Sequence, residues 1–127
     1  VICLNGTADV FSQKVLRAAM GSVFHLPIAE YAESREVIRQ LKESGWTMAA
    51  SDMDGENVFN SPCFSGKTAL VIGNEGNGVS EELLSAADRV VALPMSSRTE
   101  SLNAAVACGI LCYHIQNTLG RFGGTEK

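Results

Sequence analysis

Thr68-Ala69-Leu70-Val71-Ile72-Gly73-Asn74-Glu75-Gly76-Asn77-Gly78-Val79-Ser80-Glu81-Glu82 is the stretch whose reading decides the fold. Its first five residues form an apolar run of the kind found in a buried strand. A glycine-rich turn follows, and Ser80-Glu81-Glu82 opens a helix. A second strand-to-helix turn lies downstream, where Val90-Val91-Ala92-Leu93 passes through Pro94-Met95 to Ser101-Leu102-Asn103 and a long apolar helix. In open α/β sheets, ligands sit where such turns leave the carboxyl ends of the strands. The two turns are therefore expected to meet at one pocket.

On either side the chain keeps alternating. Val1 to Leu4 reads as a short strand, Ser12 caps a helix running to Met20, and Gly21 supplies its terminating turn. Phe24 to Ile28 reads as a brief extended stretch that Pro27 keeps short or at an edge. Ser34 to Ser44 places Val37, Ile38 and Leu41 on one side of an amphipathic helix ended by Gly45. Trp46 to Ala50 reads as a strand and Ser51 to Lys67, rich in turn-forming residues, as a functional or connecting loop. A helix from Glu81 to Ala87, a strand from Arg89 to Leu93 and a helix from Ser101 to Leu119 complete the order. Such alternation predicts an α/β fold, a mostly parallel sheet with helices on both faces. The last helix carries Leu102, Val106, Ile110 and Tyr113 on one stripe and Cys108, Leu111, Cys112, Ile115 and Leu119 around another. It is expected to bury one side in the core and another against a second subunit.

With 127 residues, 46% hydrophobic and 19% charged, the chain reads as one globular domain, residues 1–127. Only the glycine-rich end from Gly120 to Lys127 looks unstructured. No apolar run approaches the roughly 20 residues needed to span a bilayer, and no basic region precedes a signal core. A soluble cytoplasmic protein without a membrane partner is expected. The net charge of −4 argues against a general phosphate-binding surface, which needs cations to displace counterions. Lys14, Arg17, Arg35, Arg39 and Lys42 are interspersed with Glu33, Glu36 and Glu43 and read as a solvated face. Cys3, Cys63, Cys108 and Cys112 match neither a redox pair nor a zinc knuckle and read as small buried hydrophobes. His25 and His114 lack ligand-type neighbours and read as structural, so no metal is expected.

The chemistry lies in the two turns. Gly73, Gly76 and Gly78 allow close backbone approach and positive φ, and Asn74 and Asn77 tolerate similar conformations. The turn fits neither the GxxxxGK[ST] phosphate loop nor the GxGxxG dinucleotide fingerprint. Glu75 within it would repel a phosphate, which favours a neutral or cationic ligand, although a purely structural turn stays open on these residues alone. Ser101 reads as a helix cap. Asn103, in the first turn of an apolar helix, is expensive to bury without a partner. Leu93-Pro94-Met95 offers an apolar lip for a flat ring. Together these features suit a ligand with an aromatic base and a positive centre.

Gly73-Asn74-Glu75-Gly76-Asn77-Gly78 with Ser80, Leu93-Pro94-Met95, and Glu100-Ser101-Leu102-Asn103-Ala104-Ala105-Val106-Ala107 resemble motifs 2 and 3 of the SpoU (TrmH-like) RNA 2′-O-ribose methyltransferases of the SPOUT superfamily. Lys14 to Ser22 with Leu26-Pro27-Ile28 is similar to the segment between that family's motifs 1 and 2. The resemblance implies a C-terminal part threaded into a deep trefoil knot, an exception to the rule against threaded connections. It implies a homodimer formed through the C-terminal helix, S-adenosylmethionine as cofactor, and structured ribosomal or transfer RNA as substrate. Gly73, Leu93 and Leu102 match the family's cofactor-contacting positions, with Glu75, Gly76 and Met95 close by. Glu75 is similar to the motif 2 glutamate, and Ser101 and Asn103 match the motif 3 polar pair, so these three are the expected catalytic residues.

Methyl transfer from a sulfonium to a ribose hydroxyl is an in-line displacement, which demands alignment of nucleophile, methyl and sulfur and a group to activate a weak nucleophile. The family's motif 1, an Asn-rich turn leading to an arginine, normally precedes the strand matched by Val1 to Leu4, and nothing here matches it. Arg17 lies in the later helix and does not take its place. The chain reads as a catalytic domain lacking its motif 1 segment. A non-catalytic knotted RNA-binding or assembly module is the alternative, and a small metabolic enzyme for a phosphorylated ligand is disfavoured by Glu75.

Overall fold

A computed structural model describes residues 1–60, 64, 66–96 and 101–122. Cys63, Glu100 and the end of the chain from Gly123 lie outside the described residues. The chain forms two compact units, Val1–Arg39 and Gln40–Lys127.

In the first unit, β1 (Ile2–Leu4) pairs in parallel with β2 (Ala29–Tyr31), Cys3 in register with Glu30. Between them runs α1 (Gln13–Ala19), capped by Ser12, whose Oγ accepts from the Val15 N–H at 3.4 Å. The helix ends on Met20 itself, left-handed at φ 48°, followed by Gly21 at φ 86°. A 3-10 helix, Ser22–His25, occupies part of the region expected to be extended, and the strand begins only after Pro27. Proline has no N–H to offer a ladder, so pairing starts beyond it. The helix α2 (Ser34–Glu43) spans the division between the units. Gly45 at φ 72° ends it, with the Trp46 N–H donating to the Leu41 carbonyl at 2.9 Å, the bond that closes a helix terminating in a left-handed residue.

The second unit holds a three-stranded parallel sheet, ordered β4-β3-β5. Its strands are β3 (Thr47–Asn57), β4 (Thr68–Val71) and β5 (Arg89–Ala92). Two helices belong to it, α3 (Glu81–Ala86), capped by Ser80, and α4 (Ala104–Thr118). Among the described residues the strand pairings are parallel, as the alternating pattern predicts, but they form two sheets rather than one, and the Asn74–Gly78 bridge is antiparallel. Met48, Ala49 and Ala50, near the start of β3, have no exposed surface. They sit between two neighbours, which is why that part of the sequence is uninterrupted by charge. Asp88 anchors the start of β5, its Oδ2 accepting from the Met48 N–H at 2.7 Å while its own N–H donates to the Met48 carbonyl at 2.9 Å.

The strand expected to stop at Ala50 continues to Asn57. Ser51 and Glu56 both register with Val91, so Asp52 to Gly55 leave the ladder as an excursion and the strand resumes beyond it. The Asp52 carboxylate accepts from the Asp54 N–H at 2.9 Å and tightens the excursion. At Gly55 an added Cβ would lie 2.6 Å from the Val91 carbonyl carbon, so only glycine fits where the strand returns. The polar, glycine-containing composition that resembles a loop is this excursion.

Ala49, Val58, Phe64, Val91, Leu111 and Ile115 form the core of the unit, with Leu70, Ile72, Leu93 and Leu119 packed against it. Only Leu111 and Ile115 of α4 are buried, whereas Val106, Ile110 and Tyr113 stand exposed at 51%, 38% and 72%. Cys3 is buried, but Cys108 is half-buried and Cys112 exposed, against the expectation that all the cysteines are core residues. Their sulfurs are 3.9 Å apart. His114 packs edge-on against Phe59 and Phe64, at ring-centroid distances of 5.0 and 6.2 Å. Among the described residues no group of side chains is arranged to hold a metal, and no helix is long and apolar enough to cross a membrane.

Candidate functional site

The turn after β4 is held by its own polar groups. Asn74 and Gly78 exchange both backbone hydrogen bonds, at 3.2 and 2.9 Å. The Asn74 Oδ1 accepts from the Gly76 and Asn77 N–H groups at 3.0 and 2.7 Å. Neither Asn74 nor Asn77 takes a positive φ; the only described non-glycine residue that does is Met20. Asn74 instead serves as the acceptor around which the turn folds.

The three glycines of this turn answer to different demands. Gly78 has a φ of 65°. Gly73 is required by the turn itself, because a Cβ there would fall 2.0 Å from the Gly78 carbonyl carbon. Gly76 meets nothing closer than the Asn74 Oδ1 at 3.6 Å and has no positive φ, so the turn does not dictate glycine there.

Asn103, not Ser101, caps α4. Its Oδ1 accepts from the Ala105 and Val106 N–H groups at 2.9 and 3.3 Å. Its amide nitrogen donates to the Glu75 Oε1 at 2.9 Å. Asn103 is exposed, with both its amide oxygen and its amide nitrogen engaged, rather than buried without partners. One side chain thereby satisfies two of the orphan donors of a helix and ties that helix to the glycine turn.

These contacts enclose a cavity of about 620 Å³, within the range of small-molecule sites. Gly73, Glu75 and Gly76 line it from the first turn, and Ser101, Leu102 and Asn103 from the start of α4. Leu93 and Met95 line it from the end of β5. Every residue singled out in the two turns as a candidate for catalysis or cofactor binding is thus brought to this one cavity. Met95 and Leu102, exposed at 37% and 36%, supply apolar surface at its edge.

Sequence reading marked Ser51 to Lys67 as a functional or connecting loop but named none of its residues as part of the site. Ser51, Asp52 and Met53 line it as well, presented by the β3 excursion, with Met53 72% exposed. The signal was Gly55 in a polar run directly after a buried strand, which marks a break in the ladder as readily as a loop.

A profile of the SpoU rRNA Methylase family matches residues 1–113. The chain is 36% identical over 116 residues to the 23S rRNA (guanosine(2553)-2′-O)-methyltransferase RlmP of Bacillus subtilis, an alignment covering 91% of this chain and 46% of that protein. The fold is similar to the AdoMet-bound rRNA methyltransferase of Sinorhizobium meliloti, with a TM-score of 0.85 and 34% identity over 93% of this chain and 45% of the other. It is equally similar to the SpoU methyltransferase AviRb of Streptomyces viridochromogenes in complex with AdoMet, with a TM-score of 0.85 and 31% identity over 97% of this chain and 50% of the other. The chain therefore spans about half the length of the relatives it matches.

Proposed function

The chain belongs to the SpoU rRNA methylase family, and from that premise we propose that it transfers a methyl group from S-adenosylmethionine to a ribose 2′-hydroxyl of ribosomal or transfer RNA. The observation that carries this reading is the Asn103–Glu75 hydrogen bond of 2.9 Å, which holds both strand-to-helix turns around one cavity. The fit to the cofactor rests on the lining. Leu93, Met95 and Leu102 offer apolar surface to a flat base, and Gly76 leaves backbone open for close contact. Glu75 places a carboxylate where a phosphate ligand would be repelled and a positive centre accepted.

When bound, S-adenosylmethionine supplies an electrophilic methyl group on a sulfonium. The protein's own part is alignment and exclusion of water, and alignment of this kind lowers a barrier by several kcal/mol. Leu102 and Met95 cover the cofactor pocket. Ser101, exposed at the same edge, orients the ribose. Asn103 fixes one oxygen of Glu75 and leaves the other as an acceptor for a donor on the ligand or the RNA.

The same reading extends to the rest of the chain. Residues 1–127 form the catalytic domain, its C-terminal part is threaded as a deep trefoil knot, and the protein works in the cytoplasm. Two copies pair through α4. A groove of about 670 Å³ beside this helix is lined by Phe59, Val106, Ile110, Tyr113 and Phe122, and Tyr113 stacks on Phe122 at 5.3 Å. Exposed apolar surface of this extent is the kind that a subunit contact covers.

Calorimetric titration with S-adenosylmethionine and S-adenosylhomocysteine tests the reading. Saturable binding of one molecule per chain is expected. A folded chain that binds neither would refute it.

A further inference from the structure

From Val10 to Ala29 the sequence contains neither Asp nor Glu, yet it carries Lys14, Arg17 and His25 in a chain of net charge −4. The structure separates these cations from those of α2. Arg39 is paired with Glu36 at 2.7 Å and Arg89 with Glu56 at 3.3 Å. Lys14 and Arg17 are exposed, and among the described residues neither has a carboxylate partner. What reads in sequence as one solvated face differs between the helices: α2 carries carboxylates among its cations and pairs Arg39 with Glu36, whereas α1 has no carboxylate at all.

Large apolar side chains stand exposed in the segments that flank these cations, and α1 touches the 3-10 helix that carries Phe24. Phe11 is 60% exposed, Phe24 71% and Met20 91%. Met20 adopts a left-handed conformation that side chains rarely take. The turn that holds it there is closed by the Met20 N–H donating to the Arg17 carbonyl at 3.3 Å and the Ser22 hydroxyl donating to the Ala19 carbonyl at 2.8 Å. The Phe24 N–H then donates to the Gly21 carbonyl at 3.1 Å, so two successive turns lead from Arg17 to Phe24.

Unpaired cations next to exposed aromatic rings match the chemistry of a single-stranded nucleic acid. Its phosphates take the cations, and its unstacked bases lie on the rings. A duplex offers the phosphates but hides the base faces. We propose that Lys14, Arg17, Met20 and Phe24 form a contact surface for single-stranded segments of the substrate RNA, the choice of RNA resting on the function proposed above.

The test is fluorescence anisotropy of the whole chain with a labelled mixed-sequence RNA oligonucleotide, single-stranded and as a duplex, over a series of salt concentrations. The single strand is expected to bind more tightly. The double variant Lys14→Ala/Arg17→Ala is expected to weaken binding and to flatten the plot of log affinity against log salt by about 1.4, from two phosphate contacts at about 0.7 each. Phe24→Ala is expected to weaken binding about five- to 100-fold with the slope unchanged, the effect of one lost base stack. Lys42→Ala, which removes a cation from α2, is expected to change neither. Equal affinity for the duplex, variants indistinguishable from the unaltered chain, or no RNA binding at all would overturn the proposal. The same proteins are titrated with S-adenosylhomocysteine. Loss of RNA binding with cofactor binding intact supports this surface; the predicted RNA effects without any cofactor binding would keep the surface and sink the methyl-transfer reading.

Discussion

Asn103 donates to Glu75 through its amide nitrogen at 2.9 Å and caps α4 through its amide oxygen, 2.9 Å from the Ala105 N–H. The two halves of one amide therefore serve the helix and the glycine turn separately, and substitution can take them apart. Asn103→Asp keeps an oxygen for the cap but sets a carboxylate against Glu75. It is expected to hold the folding stability within about 0.5 kcal/mol while weakening S-adenosylhomocysteine binding about tenfold or more. Asn103→Ala loses both and is expected to cost about 1 kcal/mol of stability as well. Thermal unfolding and calorimetry on the two variants check this, and equal cofactor affinity in both and in the unaltered chain would remove Asn103 from the site.

Leu102 is 36% exposed at the edge of the cavity, so a polar replacement does not disturb the core. Leu102→Arg is expected to abolish cofactor binding while the melting transition stays within a few degrees of the original. Retained affinity would show that the ligand lies elsewhere.

The two glycines of the first turn are predicted to differ. Gly73→Ala forces a Cβ to 2.0 Å from backbone and is expected to destabilise by about 3 kcal/mol or more, at the large end of single substitutions. Gly76→Ala meets only ordinary contact and is expected to change stability by less than about 0.5 kcal/mol, but to reduce cofactor affinity. Denaturant unfolding measured alongside ligand titration separates the outcomes, and unchanged affinity in Gly76→Ala would mean that no ligand approaches that backbone.

Pairing through α4 predicts a dimer in solution. Ile110→Arg on the exposed stripe, 38% exposed in the single chain, is expected to give a folded monomer in sedimentation equilibrium. An unaltered chain that sediments as a monomer would dismiss the pairing.

Cys112 is exposed yet slow to react by prediction. Burial of part of its thiol, then the neighbouring Cys108 charge and hydrogen bond, push it up from an ordinary 9.0 to about 11. At neutral pH its thiolate is therefore about 100-fold scarcer than that of an ordinary thiol. Alkylation is expected to be correspondingly slow and to accelerate as pH rises towards 11. Because the unfolded thiol ionises first, its contribution to stability is present in full below pH 9 and declines between pH 9 and about 11. Rapid modification at neutral pH would contradict the environment described for it.

The sequence revealed the parts of the fold in which neighbouring residues share a pattern. The apolar runs around Leu70 and Val91 and the capping serines Ser12 and Ser80 led directly to strands and helices, because local hydrophobicity and capping chemistry determine those elements. Elements fixed by distant partners were less legible. The resumption of β3 at Glu56 depends on Val91, far along the chain; Gly55 marks a break in the ladder locally, but nothing in Ser51 to Asn57 names the partner strand. Asn103 was expected to be a costly buried polar group, whereas the structure gives it a capping oxygen and a carboxylate partner contributed by another turn. The residues of the two turns could be picked out by type and spacing. The role of Asp52 and Met53 as a cavity wall followed only from the strand register.

That register has a consequence for how such a cavity can diversify. Since Ser51 and Glu56 face the same rung of β5, the residues between them are surplus to the ladder. Adding or deleting residues there would leave both ends of β3 aligned and the core undisturbed, provided that a glycine still occupies the point of return beside Val91. The sheet thus contains an insert facing the cavity whose length the ladder does not dictate, a place where the depth of the cavity can be altered by changing the number of residues rather than their identity.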